Sequence, residues 1–176
     1  MGVVSIWSKL LKQEAKFPMN FAQYLNQDTR TKMVDLLNAN LAEAINLTLA
    51  VKQAHWNLKG CGFISVHEQL DEVADRLRDS ADTMAERVAV LGGHAKGTVK
   101  AVAMASTLEA YPLELSDIDD HIDNLKTRFL ALGGAVSKAI DTAADAGDQD
   151  TADLLTAVSR AVDKDAWYIG ANAKTA

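Results

Sequence analysis

Four long amphipathic stretches separated by glycine breaks constrain this chain more than any other feature. The first carries Met33, Leu36, Leu37, Leu41, Ile45, Leu49 and Val51, mostly three or four residues apart, the spacing of one face of an α-helix. It is expected to start near Thr31, pass through His55 and Trp56, and end at Gly60 and Gly62, which suit a cap and a tight turn. The second helix has Ser65 as N-cap, with Glu68 completing a capping box, and runs to Leu91 before Gly92-Gly93. The third begins after Ser116, with Asp117, Asp119 and Asp120 near its positive end. It carries Ile122, Leu125, Phe129, Leu132, Val136 and Ile140. Gly133-Gly134 inside it costs roughly 1 kcal/mol per glycine relative to alanine, and marks a close helix approach or a local kink. Gly147 ends this helix, and Asp150 or Thr151 caps the fourth, which carries Leu154, Leu155, Val158, Val162, Trp167 and Ile169.

The connection over 94–116 is the long one. A short helix is expected around Ala101–Leu108, with Tyr111-Pro112 ending it. Four long helices, two tight links and one long middle crossover describe an all-α, ferritin-like four-helix bundle. The bundle is expected over 31–172, after an N-terminal extension at 1–30 that is free to be flexible and before a short tail at 173–176. In that extension Ile6, Trp7, Leu10 and Leu11 line one side of a short helix beside Lys9, Lys12 and Lys16, and Pro18 breaks it.

At 176 residues, 48% of them hydrophobic, the chain can bury a core. Its net charge of −6 argues against nucleic-acid binding by the body as a whole. A single Cys61 excludes an intrachain disulfide framework and makes a reducing compartment the default. The start GVVSIW is too short for a signal peptide, and no uninterrupted apolar run is long enough to span a membrane. A cytoplasmic location, in contact with the nucleoid if DNA is bound, is the expectation.

The chemistry lies between His55 and Glu86. His67 and Asp71 are four residues apart on the second helix and share a face; so are Asp82 and Glu86. The eleven residues from Asp71 to Asp82 make close to three turns, so all four side chains lie on one stripe. At the helical rise the two pairs are about 16 Å apart, beyond the reach of one ion within one chain. Two such helices set antiparallel about a twofold axis remove the difficulty. His67 and Asp71 of one copy then face Asp82 and Glu86 of the other, and His55 joins across the glycine turn. Imidazole with carboxylate suits iron and related divalent metals. The expectation is an interfacial site in an isologous dimer. Taken singly, a His-x-x-x-Asp pair is more often a surface contact, and acidic pairs are common on exposed helices.

The segments KQAHWNLKG, FISVHEQLDEVADRL and DTMAERVAVLGG closely resemble the Dps family, the DNA-protecting, iron-storing mini-ferritins of bacteria. YPLEL and DTADLLTAVSRAVDKDAWYI add to the likeness, which covers roughly Thr31 to Ile169. The resemblance implies a hollow homododecamer with ferroxidase sites between twofold-related subunits. His55, His67 and Asp71 would come from one chain, and Asp82 and Glu86 from its partner. Trp56 matches a tryptophan near that site, as an electron donor or a packing residue. The implied reaction is oxidation of Fe(II) to Fe(III), preferentially by hydrogen peroxide, followed by mineral storage. Zinc or another divalent metal is the alternative occupant. No Glu-x-x-His motif of a within-chain di-iron centre occurs, and HEQLD lacks the second histidine of a zinc protease motif.

Other candidates carry blander readings. His94 and His121 are expected at the surface or an interface, although His121 with Asp117 could take a stray metal. Cys61 fills a turn or serves a redox role. Asp145, Asp148, Asp150 and Asp153 form either a solvated turn or an acidic funnel for Fe(II), with Asp148 and Asp153 the choices for a pore. DNA binding would rest on Lys9, Lys12 and Lys16, multiplied over the copies, with only Lys174 at the other end. A nucleoid-binding architectural protein with a vestigial metal site is the competing function, and a zinc-holding structural relative is a third.

Overall fold

The computed structural model describes residues 21–173, so Lys9, Lys12, Lys16 and Lys174 lie outside the described residues, as does the short helix expected near residue 6. The described residues form five helices and no strands: α1 (Gln27–Asn57), α2 (Phe63–Val90), α3 (Val99–Ala105), α4 (Ile118–Asp145) and α5 (Gln149–Gly170). The four long ones make the expected bundle. α1 packs along α2 and α4 along α5, and the two hairpins meet through α1 with α4 and α2 with α5.

The caps set boundaries that periodicity alone misplaces. α1 starts ahead of Thr31 because the Asn26 side chain accepts a hydrogen bond from the Thr29 amide at 2.9 Å. Ala22 and Leu25 fold beneath that start and join the core. α2 does not use Ser65 as its cap. Gly62, at φ 81°, is the N-cap, and the amides of Phe63 and Val66 already bond to Gly60 and Gly62. Ser65 is therefore inside the first turn, and α2 starts without a side-chain cap, from a left-handed backbone that glycine adopts readily. α5 is capped by Asp148 rather than Asp150 or Thr151, with its carboxylate accepting from the Thr151 amide at 3.1 Å.

The crossover helix α3 begins at Val99 behind the cap Thr98, earlier than expected, and stops at Ala105. It stops there because Glu43 of α1 captures the next two residues. Its carboxylate accepts from the Ser106 hydroxyl at 2.5 Å and from the Thr107 amide and hydroxyl at 2.7 and 2.8 Å. The tight α1–α2 turn is tied to the start of α4 by the Lys59 amide, which donates to the Ser116 carbonyl at 2.7 Å.

The core runs through the middle of the bundle, with Met33, Leu37, Leu41, Leu70, Leu77, Ile122, Leu125, Phe129 and Leu155 almost wholly buried. Two residues of the expected apolar faces are not in it: Leu49 is 52% exposed and Trp167 67%. At Gly93, a β-carbon would stand 2.6 Å from both Val34 methyl groups, so the end of α2 meets α1 with no room to spare. The Gly133-Gly134 pair is less demanding than its sequence suggests. α4 is continuous through it, and a β-carbon at Gly133 would be in ordinary contact with Asp163 and Val162.

Candidate metal centre

His55 lies in the last turn of α1 and His67 in the second turn of α2, and the short glycine link folds one onto the other. Their rings stack with centroids 3.7 Å apart and planes inclined by 19°. The hydrogen bonds are reciprocal. His55 Nδ1 lies 2.8 Å from the His67 carbonyl, and His67 Nδ1 lies 2.9 Å from the His55 carbonyl. A carbonyl oxygen can only accept, so both Nδ1 atoms carry the proton and donate. In the neutral rings both Nε2 atoms keep their lone pairs, the tautomer a metal requires, and the backbone bonds fix the ring orientations. Phe63 covers one side of His67 with ring centroids 5.0 Å apart.

Asp71, one turn after His67, brings a carboxylate to the pair, with Oδ1 3.9 Å from His55 Nε2. The same oxygen lies 2.5 Å from Lys52 Nζ. That hydrogen bond is the main reason the Asp71 carboxyl is held below its ordinary range; burial pulls the other way, and the charges of His55, Lys52 and His67 add to the lowering. Lys52 also lies over the Trp56 ring at 5.6 Å, and Trp56 is two-thirds exposed beside the histidines. Lys52 was not among the residues singled out from sequence. The signal was there, because it precedes His55 by three residues on the same helical face.

Asp82 and Glu86 stand three turns further along α2, exposed on the same helix and about 16 Å away by helical rise. Among the described residues no three His, Cys, Asp or Glu side chains of one chain close into a metal-holding cluster. One chain thus presents two imidazoles and a carboxylate at one end of a stripe and two carboxylates at the other.

The remaining candidates separate clearly. Asp148 is fully buried: Arg87 donates to it at 2.7 Å and the Thr151 hydroxyl at 2.6 Å. It caps α5 and pairs with Arg87, which gives its carboxylate a role within the chain. Asp153 is exposed in a shallow groove between α2 and α5, with Asp79, Thr83 and Asp150. Asp150 accepts from the Tyr24 hydroxyl at 2.6 Å. Asp145 is exposed. His121 is 1% exposed, contrary to the expected surface position, because the Tyr111 hydroxyl and the Leu115 carbonyl bracket its ring. His94 is exposed, and its carbonyl accepts from Asn38. Cys61 is exposed in the turn.

Comparison with known proteins places the fold in a family. The family model for the ferritin-like domain, Ferritin, matches residues 34–175. The chain is 45% identical over 148 residues to the DNA protection during starvation protein of Agrobacterium fabrum, covering 84% of this chain and 91% of that one. Among solved structures it is similar to Mycobacterium smegmatis Dps in its tetragonal form, with TM-score 0.83 and 32% identity over 86% of this chain and 92% of the other. It is also similar to an archaeal Dps homologue from Halobacterium salinarum, with TM-score 0.83 and 27% identity over 88% and 86% of the two chains.

Proposed function

The chain belongs to the Dps family of ferritin-like proteins, and from that premise we propose that it oxidises Fe(II) with hydrogen peroxide at sites shared between twofold-related copies and stores the product inside a dodecameric shell. The observation that carries this reading is the split donor set. His55 and His67 offer two oriented Nε2 atoms beside Asp71, and Asp82 and Glu86 lie too far along the same helix to join them. An antiparallel second copy brings Asp82 and Glu86 to the histidine end of the first, and its own histidines and Asp71 to the other end. Exposed apolar side chains support the association of copies: Leu49 on α1, and Val99 and Met104 on α3, are each more than half exposed. Burial between copies would remove them from water.

Iron is the substrate here. Asp71 with the partner's Asp82 and Glu86 attracts the hard cation and favours the more highly charged Fe(III) product. The two imidazoles complete the donor set without adding charge. Two Fe(II) ions give one electron each to one hydrogen peroxide, whose O–O bond breaks. With two protons taken up, it leaves as two water molecules. A second, weaker iron position beside the first is needed for that two-electron step. Hydrolysis of Fe(III) then releases protons and delivers mineral to the interior. Lys52 holds the charge of Asp71 until a cation arrives. Trp56, next to His55 in the chain and two-thirds exposed, would supply an electron during oxidation or pack against a neighbouring copy.

Removal of free Fe(II) and peroxide together protects DNA without contact with it. Any direct affinity for DNA depends on residues 1–20, which hold Lys9, Lys12 and Lys16, because the chain as a whole is negatively charged. Such binding weakens steeply with salt and disappears when those residues are deleted, which a gel-shift series measures.

The test of function is the rate of Fe(II) oxidation after addition of peroxide, compared between wild type and the Asp82→Ala, Glu86→Ala double variant. Both side chains are exposed, so the variant is expected to keep its assembly in sedimentation while losing rapid oxidation. Equal rates in the two proteins would refute the site.

A further inference from the structure

Outside the metal centre, the most fully enclosed titratable side chain among the described residues without a charged partner in hydrogen-bond contact is His121, in the first turn of α4. It holds the end of the long crossover. The ring lies between two groups of the segment that folds over it: the Tyr111 hydroxyl, 2.7 Å from Nδ1, and the Leu115 carbonyl, 3.1 Å from Nε2. The carbonyl can only accept, so Nε2 carries the proton, and in the neutral ring Nδ1 accepts from Tyr111. The Tyr111 ring lies nearly parallel to the imidazole, inclined by 10°.

We propose that the Tyr111–His121–Leu115 chain is an acid-sensitive latch: protonation of His121 turns Nδ1 from acceptor to donor against the Tyr111 hydroxyl and buries a positive charge at the start of α4, which the ring escapes by leaving both partners and freeing the 111–115 segment. With the ring in place the hydroxyl would have to turn its own hydrogen away from His121, and the charged ring itself, 1% exposed, would be cut off from water. The new charge would also sit at the positive end of a 28-residue helix. Arg128 stands on the same side, with its guanidinium 4.9 Å from the Tyr111 ring. The carboxylates that act on the ring are Asp120 and Asp117, both at the start of α4, and Asp117 is already engaged as the cap of the Asp119 amide. From the crossover, the titratable group that faces it is Tyr111.

Burial outweighs the Leu115 hydrogen bond and the two carboxylates, and holds the His121 ring below its ordinary range. Burial likewise pushes the Tyr111 hydroxyl up to about 12, against the opposing pull of Arg128, so Tyr111 stays a donor throughout. Folding therefore favours neutral His121. Stability from the latch is full above pH 6.5, the ordinary value of the ring, and falls as the pH drops from there through the lower native value. The other end of the segment stays anchored, because Arg128 also donates to the Glu109 and Ala110 carbonyls at 3.2 and 2.8 Å. The released part is thus a short strap carrying Leu113, which is 68% exposed and makes a convenient reporter.

The experiment uses the full-length assembled protein with Cys61→Ser and Leu113→Cys, labelled with a nitroxide and followed by its electron-paramagnetic line shape from pH 7.5 to 4.5. The ratio of mobile to immobile label is expected to rise severalfold as the pH falls, with a midpoint below 6.5. A second label placed by Lys138→Cys on the body of α4 should not respond. His121→Gln should abolish the step, and Tyr111→Phe should leave the label mobile already at pH 7.5. A label at 113 that stays immobile down to pH 4.5 overturns the latch, as does an unchanged step in His121→Gln or an immobile label at pH 7.5 in Tyr111→Phe.

Discussion

Lys52 Nζ lies 2.5 Å from Asp71 Oδ1, so the carboxylate that would receive a metal already has a cation of the protein's own. Metal binding must displace that ammonium. Replacing Lys52 with methionine keeps much of the aliphatic stem and removes the competitor. The affinity for a redox-inert divalent probe such as Co(II), measured by calorimetry at neutral pH, should rise about two- to fivefold, the worth of an exposed ion pair. Because Lys52 is also what lowers the Asp71 carboxyl, the acid limb of Co(II) binding should move to higher pH in the variant. Unchanged affinity and an unchanged acid limb would mean the ammonium plays no part in the site.

Asp148 offers a contrast between two readings of one carboxylate. As part of an acidic funnel it would matter for iron entry and little for folding. As the buried partner of Arg87 and cap of α5, it should matter for folding first. Asp148→Ala takes the nearest carboxylate from Arg87, leaving Asp150 at 3.8 Å, and removes the cap of α5; breaking a largely buried pair costs about 3–5 kcal/mol. At roughly 2–4 °C per kcal/mol for a chain of this size, the melting transition should fall by roughly 6–20 °C. Asp153→Asn, on an exposed side chain, should leave it nearly unchanged. A mild Asp148→Ala variant with slowed iron uptake would restore the funnel.

The meeting of α1 and the end of α2 at Gly93 gives a prediction with its own rescue. A β-carbon there would stand 2.6 Å from both Val34 methyl groups, so Gly93→Ala should cost about 1–3 kcal/mol, the range for overpacking. Adding Val34→Ala should recover part of that loss, giving a favourable coupling energy in denaturant unfolding. Simple additivity of the two changes would show that the strain arises elsewhere.

The helical periodicity in the sequence was enough to read the architecture, because each long element carries its apolar residues three and four apart along most of its length. The caps were less legible. Ser65 with Glu68 matches a capping box, yet Gly62 starts α2 three residues earlier, and Asp148 takes the place of Asp150 and Thr151 through a hydrogen bond local to the turn. Leu49 and Trp167 share a different cause. Periodicity identifies an apolar stripe but not whether that stripe faces the same chain or another molecule, and both side chains are exposed in the single chain. In the candidate site, the spacing placed His67, Asp71, Asp82 and Glu86 on one helix, and the structure stacks His55 on His67. The roles of Lys52 and of the tautomer-fixing carbonyls were not legible, because both depend on how α1 and α2 meet across the turn. The burial of His121 was illegible for a similar reason: it depends on where the crossover places Tyr111.

The central claim is that each metal site is built from two chains, and subunit mixing tests it most directly. One variant carries His55→Ala and His67→Ala, the other Asp82→Ala and Glu86→Ala, and each alone should lack rapid peroxide-driven Fe(II) oxidation. Co-assembled in equal amounts, they should recover about a quarter of the wild-type sites, since half of the randomly formed twofold pairs are mixed and each of those holds one intact site of two. Mixed assemblies no faster than either parent, although sedimentation shows both variants in the same particles, would contradict a shared site.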